Sequence, residues 1–258
     1  MENNMGVINA QIANATGNIE GQLQYYVKEQ QVNWNIFTNV LLHFDNPDNI
    51  KQDDSFYSQY NDVHIRGTGE LSTTIKKFGN SSYHFTGSNN FFLQSGHGFP
   101  FLSGNYITIE FWYYRDVAYT SSLECLVSNC SGYSNNTPNG WWLTINNSYI
   151  TFKNGSSWTC QASSSSITLN TWHHISFCRS SNKARIFVDG NMLVEYTIAT
   201  NQYTGYGLNW GYADFVFGSA FWSGNLWLNG YMDEVRVTNK ALYTANFTPP
   251  TAPFSPYL

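Results

Sequence analysis

Cleaving a sugar bond takes two carboxyl groups that face each other at a fixed separation. The acids of this chain do not offer such a pair. Glu110 and Glu124 stand alone, and Asp233 and Glu234 are adjacent, so strand alternation predicts that they point to opposite faces. His173 and His174 are also neighbours, and two successive strand residues cannot face one metal. No Ser-His-Asp or Cys-His constellation is recognisable. Recognition chemistry is better represented. Trp141, Trp142, Trp158, Trp210, Tyr212 and Trp222 are read as lying in or beside loops. An aromatic face can stack on the apolar face of a sugar ring, and Asn side chains can bind its hydroxyls. With nine Trp in the chain, most must serve the core or subunit contacts, and two or three of this group are left for a ligand. Trp141, Trp158, Trp210, Tyr212 and Trp222 are the candidates.

The composition favours a neutral, ring-studded surface. Of 258 residues, 42% are hydrophobic and 17% aromatic, but only 11% are charged, against an ordinary share of about 25%. Asn, Ser, Thr, Gln and Tyr must therefore supply most of the polar surface. The net charge of -5, with Lys and Arg scattered, argues against a nucleic-acid partner. No apolar run approaches the roughly 20 residues needed to cross a bilayer. Met1-Glu-Asn-Asn-Met5 lacks the basic and apolar regions of a secretory signal, which points to synthesis and folding in a cytoplasm. Cys125, Cys130, Cys160 and Cys178 show no zinc spacing and read as buried or partly buried free thiols rather than disulfides.

The elements that must position these side chains fall into two segments, 1–37 and 38–258. In the first, Met5, Ile8, Ile12, Ala15 and Ile19 recur at three- and four-residue steps, with Tyr26 a further seven on, a heptad pattern. Gly17 and Gly21 weaken an isolated helix by about 1 kcal/mol each. Association with copies of itself would bury the stripe, and Ile-rich core positions favour three strands or more. Ile8, Ile12, Ile19 and Tyr26 are thus the oligomerisation candidates. A single helix lying on the body, or a partly disordered tail, is the alternative. Val32, Trp34 and Ile36 then switch to period two, as a connecting strand.

From Thr38 onward no helical period is visible, and short alternating runs are separated by turn residues. In Ile107–Tyr114, Ile107, Ile109, Phe111 and Tyr113 face one way and Thr108, Glu110, Trp112 and Tyr114 the other. Asp189-Gly190 is the clearest hairpin turn, because a primed turn needs two positive φ angles. Strands are also expected at Leu226–Leu228 and Tyr231–Val237. A dozen or so short strands in one body is the arithmetic of a sandwich.

Leu41-Leu-His-Phe-Asp45, Tyr83-His-Phe85 with Gly87, Ile107-Thr-Ile-Glu-Phe-Trp112, Trp172-His-His-Ile175, Ile186-Phe-Val-Asp-Gly-Asn191 and Gly230-Tyr-Met-Asp-Glu-Val-Arg-Val237 follow one another in a familiar order. In that order Leu41–Pro253 resembles the concanavalin A-like jelly rolls of the laminin-G and pentraxin type. The coda Ala241-Leu-Tyr243 with Phe247-Thr-Pro-Pro250 is similar to the version in bacteriophage tail and virion proteins. The resemblance implies an all-β fold of two antiparallel sheets with a short N-terminal helical segment. It also implies glycan or protein binding, often with calcium at a loop edge, for which Asp45, Asn46 and Asp233 would be the ligands. The alternative for Asp233 is a carboxylate capping backbone amides. The Glu-x-Asp-x-x-Glu run of glucanases of this fold is missing.

The resulting expectation is a non-enzymatic bacteriophage virion protein, a tail-fibre or appendage component. Its lectin-like domain would bind host-surface glycan or protein. The expected partners are other virion proteins and two further copies of the chain, with no nucleic acid and no membrane insertion. The alternatives are a capsid-decoration or tail-assembly protein and a glycosidase or depolymerase.

Overall fold

Short alternating segments build the whole body. The computed structural model describes residues 38–55, 58, 61–67, 69–87, 91–96, 106–118, 123–130, 140–154, 158–199, 215–220 and 226–258. All lie in the unit Phe37–Leu258. In chain order the strands are β1 (Thr38–Leu42), β2 (Asn61–Arg66), β3 (Glu70–Ser72), β4 (Ser82–Thr86), β5 (Phe91–Gly96), β6 (Tyr106–Tyr114), β7 (Glu124–Cys130), β8 (Gly140–Ile145), β9 (Tyr149–Asn154), β10 (Trp158–Ser163), β11 (Trp172–Ser180), β12 (Lys183–Val188), β13 (Asn191–Thr197), β14 (Phe215–Phe217) and β15 (Asn229–Thr238). Among the described residues there is no α-helix, and no helix long and apolar enough to cross a membrane. The helical segment expected over 1–37, with Ile8, Ile12, Ile19 and Tyr26, lies outside the described residues.

The strands form two antiparallel sheets. The first runs β13-β12-β11-β6-β15-β4-β3, with β1 also paired to β15; the second runs β10-β9-β8-β7-β14-β5-β2. Period two explains the layering. Ile107, Ile109, Phe111 and Tyr113 of β6, with Ile175 and Phe177 of β11, point to the space between the sheets, where Leu126, Trp141, Leu143 and Phe152 of the second sheet meet them. Phe152 and Phe177 stack across that space, 3.7 Å between centroids and 5° apart. Burial of such rings is the main source of stability.

Two local expectations change. Residues 226–228 are not a strand; pairing begins at Asn229, opposite Thr86. The alternation expected at Asp233 and Glu234 is also broken. Glu234 adopts φ 54°, and the register with β6 shifts between Asp233 and Arg236. This is a β-bulge, which re-aims the side chains around it. Asp233 and Glu234 both end up buried, and each holds a segment lying on one outer cluster of Leu41, Phe78, Trp112 and Phe254.

The Asp189-Gly190 turn is as expected, with φ of 50° and 76° joining β12 to β13. Gly190 is required for a second reason. A Cβ there would run into the carbonyl oxygen of Phe247, whose amide donates to the Gly190 carbonyl at 2.9 Å. The coda is thus anchored on the hairpin turn and crosses the outer face of the first sheet.

Candidate functional site

The outer face of the first sheet is divided into covered and open rows. In the covered part, Glu110 of β6 accepts from Nε of Arg236 at 2.8 Å and from the Tyr243 hydroxyl at 2.9 Å. Its other close partner is Nε2 of His174, at 3.0 Å. Glu110 and His174 are fully buried. Burial alone would raise the Glu110 pKa; the His174 hydrogen bond and the Arg236 charge outweigh it and hold the carboxyl below its usual value. Tyr243 and Phe247 stack at 3.5 Å over this network, and their rings meet that of His174 edge-on.

His173 points the other way. Its Nε2 accepts from the Thr168 amide at 2.9 Å, so Nδ1 carries the proton and donates to Asp189 at 2.7 Å. The two histidines therefore serve different partners. Between the sheets, Arg115 makes a two-pronged pair with Glu124 at 2.6 and 2.7 Å, and both are buried.

The residues expected to hold calcium are engaged otherwise. Asp233 Oδ2 accepts the amides of Lys77 at 2.8 Å and Phe78 at 3.2 Å. Asp45 accepts those of Asn80 and Ser81, and its closeness to Gly79 leaves no room for a Cβ there. Asn46 Oδ1 accepts from Asp48 and Asn49, and its Nδ2 donates to Gln52. Calcium needs six to eight converging oxygens. Here the three side chains cap backbone amides instead, the alternative that the sequence left open for Asp233. Among the described residues no group of three or more His, Cys, Asp or Glu is arranged for a metal ion. The second oxygen of Asp233, Oδ1, is buried without a hydrogen-bond partner.

Asp45 and Asn46 do line a cavity of about 180 Å³ with His43, Asn49, Gln52 and Asp54. His43 Nδ1 lies 2.8 Å from Glu234 Oε1. Burial would lower the His43 pKa, but that hydrogen bond and the charges of Glu234, Asp54 and Asp45 raise it overall.

The aromatic candidates need a correction. Trp141 is 1% exposed and stacks on Phe152 at 5.4 Å. In β8 it shares the inward face with Leu143 and Ile145. Trp142, on the opposite face, is also buried. Trp158 lies on β10. Trp210, Tyr212 and Trp222 lie outside the described residues.

Other rings form the open row. Glu70 of β3 pairs with His84 of β4, and His84 with Tyr231 of β15. Tyr231 pairs with Tyr114 of β6, and Tyr114 with Trp172 of β11. Five adjacent strands thus place one residue each in a single cross-strand row. His84 stacks on Tyr231 at 4.2 Å and 9°. Tyr114 meets Tyr231 edge-on at 5.7 Å, and Trp172 lies 5.4 Å from Tyr114. His84, Tyr114 and Trp172 are half-buried, and Tyr231 is buried beneath them. Glu70 ends the row with its side chain 74% exposed. Exposed Asp116 lies 3.5 Å from the Tyr231 hydroxyl, and exposed Asn170 lies 3.4 Å from that of Tyr114. Burial, with Asp116 and other negative groups nearby, raises the Tyr231 pKa, so its hydroxyl stays a donor. The sequence shows Tyr114 beside Trp112 on one strand face, but not the row.

Known proteins bear this architecture out. A laminin-G-type family model, described as the concanavalin A-like lectin/glucanases superfamily, matches residues 78–246. The chain belongs to that superfamily and carries a lectin-like domain of the binding type. Among curated protein sequences none matches it.

Among solved structures, one similar fold is domain 4 of AbnA, an extracellular arabinanase from Geobacillus stearothermophilus, in complex with arabinotriose. The TM-score is 0.57 at 17% identity, covering 81% of this chain and 95% of that one. The receptor-binding domain of botulinum neurotoxin C/D mosaic serotype gives 0.58 at 13% identity, covering 80% of this chain and 48% of that one. The binding domain of botulinum neurotoxin DC in complex with rat synaptotagmin II gives 0.56 at 15%, covering 80% and 49%. The chain therefore matches about half the length of each toxin domain.

Proposed function

We propose that this chain is a non-catalytic recognition protein of a bacteriophage virion, a tail-fibre or appendage component whose jelly roll meets a glycan or protein on the host surface. One contrast carries the reading. The acids that the sequence offered for catalysis are spent inside: Glu110 on Arg236, His174 and Tyr243, Glu124 on Arg115, and Asp233 on two amides. The half-buried rings of His84, Tyr114 and Trp172, by contrast, reach the surface among polar groups. A domain built this way binds rather than cleaves. Solved structures of similar fold, described as a receptor-binding domain and as a domain holding arabinotriose, support a binding role. The virion setting rests on the Ala241–Pro250 coda and on the heptads of residues 1–30. Those heptads would join three copies, and weak contacts repeated on a particle become strong by avidity.

Binding of the full chain to whole host-candidate cells and to a glycan array tests the reading. Saturable binding without release of reducing sugar is the expected result. Release of reducing sugar by the purified full chain would replace it with a depolymerase.

A further inference from the structure

We propose that the row Glu70–His84–Tyr231–Tyr114–Trp172 is the docking strip itself, and that its ligand is an uncharged glycan lying across the strands. This rests on the recognition reading above and adds both the site and the ligand class. The half-buried rings of His84, Tyr114 and Trp172, with buried Tyr231 between the first two, span about 14 Å at the usual strand spacing of about 4.8 Å. The ribbon is one residue wide. It suits an extended chain better than a protein interface, which takes about 20–30 residues a side. Half-buried rings offer apolar faces and edges to the C–H face of a sugar.

The rim supplies the hydrogen bonding. The carboxylates of Glu70 and Asp116 accept hydroxyl protons in charge-assisted bonds, and Asn170 can both donate and accept. The hydroxyl contacts of Tyr231 and Tyr114 to Asp116 and Asn170 are long, at 3.5 and 3.4 Å, so sugar hydroxyls can replace them at little cost.

Charge sets the class. Both formal charges on the rim are negative, and the whole chain carries -5. The ammonium of Lys77 lies 3.7 Å over the Trp112 ring, and the Lys77 amide donates to Asp233. A uronate or sulfated polymer would bring like charge against Glu70 and Asp116; the row holds no Lys or Arg to receive it, and its His84 already faces Glu70 at 3.9 Å.

Affinity electrophoresis of the full chain in gels containing dextran, mannan, galactan or arabinan, and in gels containing polygalacturonate or heparin, tests this. Retardation by at least one neutral polymer and none by the two anionic ones is expected. Trp172→Ala and Tyr114→Ala should each weaken the neutral interaction by about tenfold. Trp172 also touches the outer apolar cluster, so the exposed pair Glu70→Gln/Asp116→Asn provides a second arm with no packing cost; it should weaken neutral binding and admit polygalacturonate. Neutral binding that none of these changes affects would move the site elsewhere and leave the recognition reading standing. Equal retardation by both classes in the unaltered chain would overturn the ligand class. Failure to bind any polymer, together with failure to bind cells, would overturn the recognition reading beneath it.

Discussion

Glu110 and His174 sit 3.0 Å apart on neighbouring strands, both fully buried, under a lid formed by Tyr243 and Phe247. A carboxylate in such a place is a structural anchor. It joins β6 and β15 through Arg236 and ties the coda to the sheet through Tyr243.

Removing that anchor leaves the Arg236 guanidinium buried without its counter-ion. Breaking a buried pair by deleting one partner costs about 3–5 kcal/mol. Glu110→Ala should therefore lower the unfolding free energy by about that amount in urea titrations. Glu110→Gln, which keeps an acceptor for Arg236 and Tyr243, should lose less. Equal stability of both variants and the parent would show that the network contributes nothing.

Asp233 gives the fold a pH dependence of unusual sign. Burial is the main cause that lifts its pKa from 3.8 to about 8; the two amide bonds oppose the rise, and Glu234 and Asp45 add to it. The folded protein holds this proton more tightly than the unfolded chain does. Its stabilising effect is thus complete below about pH 4 and is lost as pH rises through about 8, with a slope near ~1.4 kcal/mol per pH unit for one proton. Asp233→Asn keeps an oxygen for the Lys77 and Phe78 amides and has no proton to lose. It should flatten stability between pH 5 and 8, and a slope unchanged from the parent would rule out Asp233 as the source.

The sandwich was legible because its signals are local. Alternation in Ile107–Tyr114 separates core from outer face in one strand, and Asp189-Gly190 marks a turn by backbone angles alone. What stayed hidden depends on register or context. Nothing near Glu234 marks it for positive φ, so the bulge that turns Asp233 and Glu234 onto one outer cluster could not be read. The row from Glu70 to Trp172 exists only once five strands are paired. In Trp141-Trp142, period two shows that one ring faces the core but not which, and the ring assigned to a ligand proved to be the inward one.

That assignment has a measurable consequence. Trp141→Ala empties a core site between the sheets and should cost about 3–5 kcal/mol. In a two-state fold this shows as a lower midpoint in thermal or urea unfolding. Polysaccharide retardation, measured where the variant remains folded, should stay at the parent value. Trp172→Ala should shift the balance, with a smaller loss of stability from its contact with the outer apolar cluster and a clear loss of retardation. Loss of both properties in both variants would mean that the outer row and the core are not separable.

The N-terminal heptads call for a test of assembly independent of binding. Ile8, Ile12 and Ile19 recur at the a/d spacing, and Ile at both positions shifts preference from two strands to three or four. Gly17 and Gly21 weaken a lone helix, so helix formation and association should occur together. Multi-angle light scattering should give the mass of three chains for the intact protein and of one for a chain starting at Thr38. Both should show the same β-rich far-ultraviolet spectrum from the sandwich, with a helical contribution in the intact protein alone. Replacing Ile12 and Ile19 by Asn should produce the single-chain mass at full length. An intact protein of single-chain mass at tens of micromolar would remove the trimer, and with it the avidity on which weak glycan contacts depend.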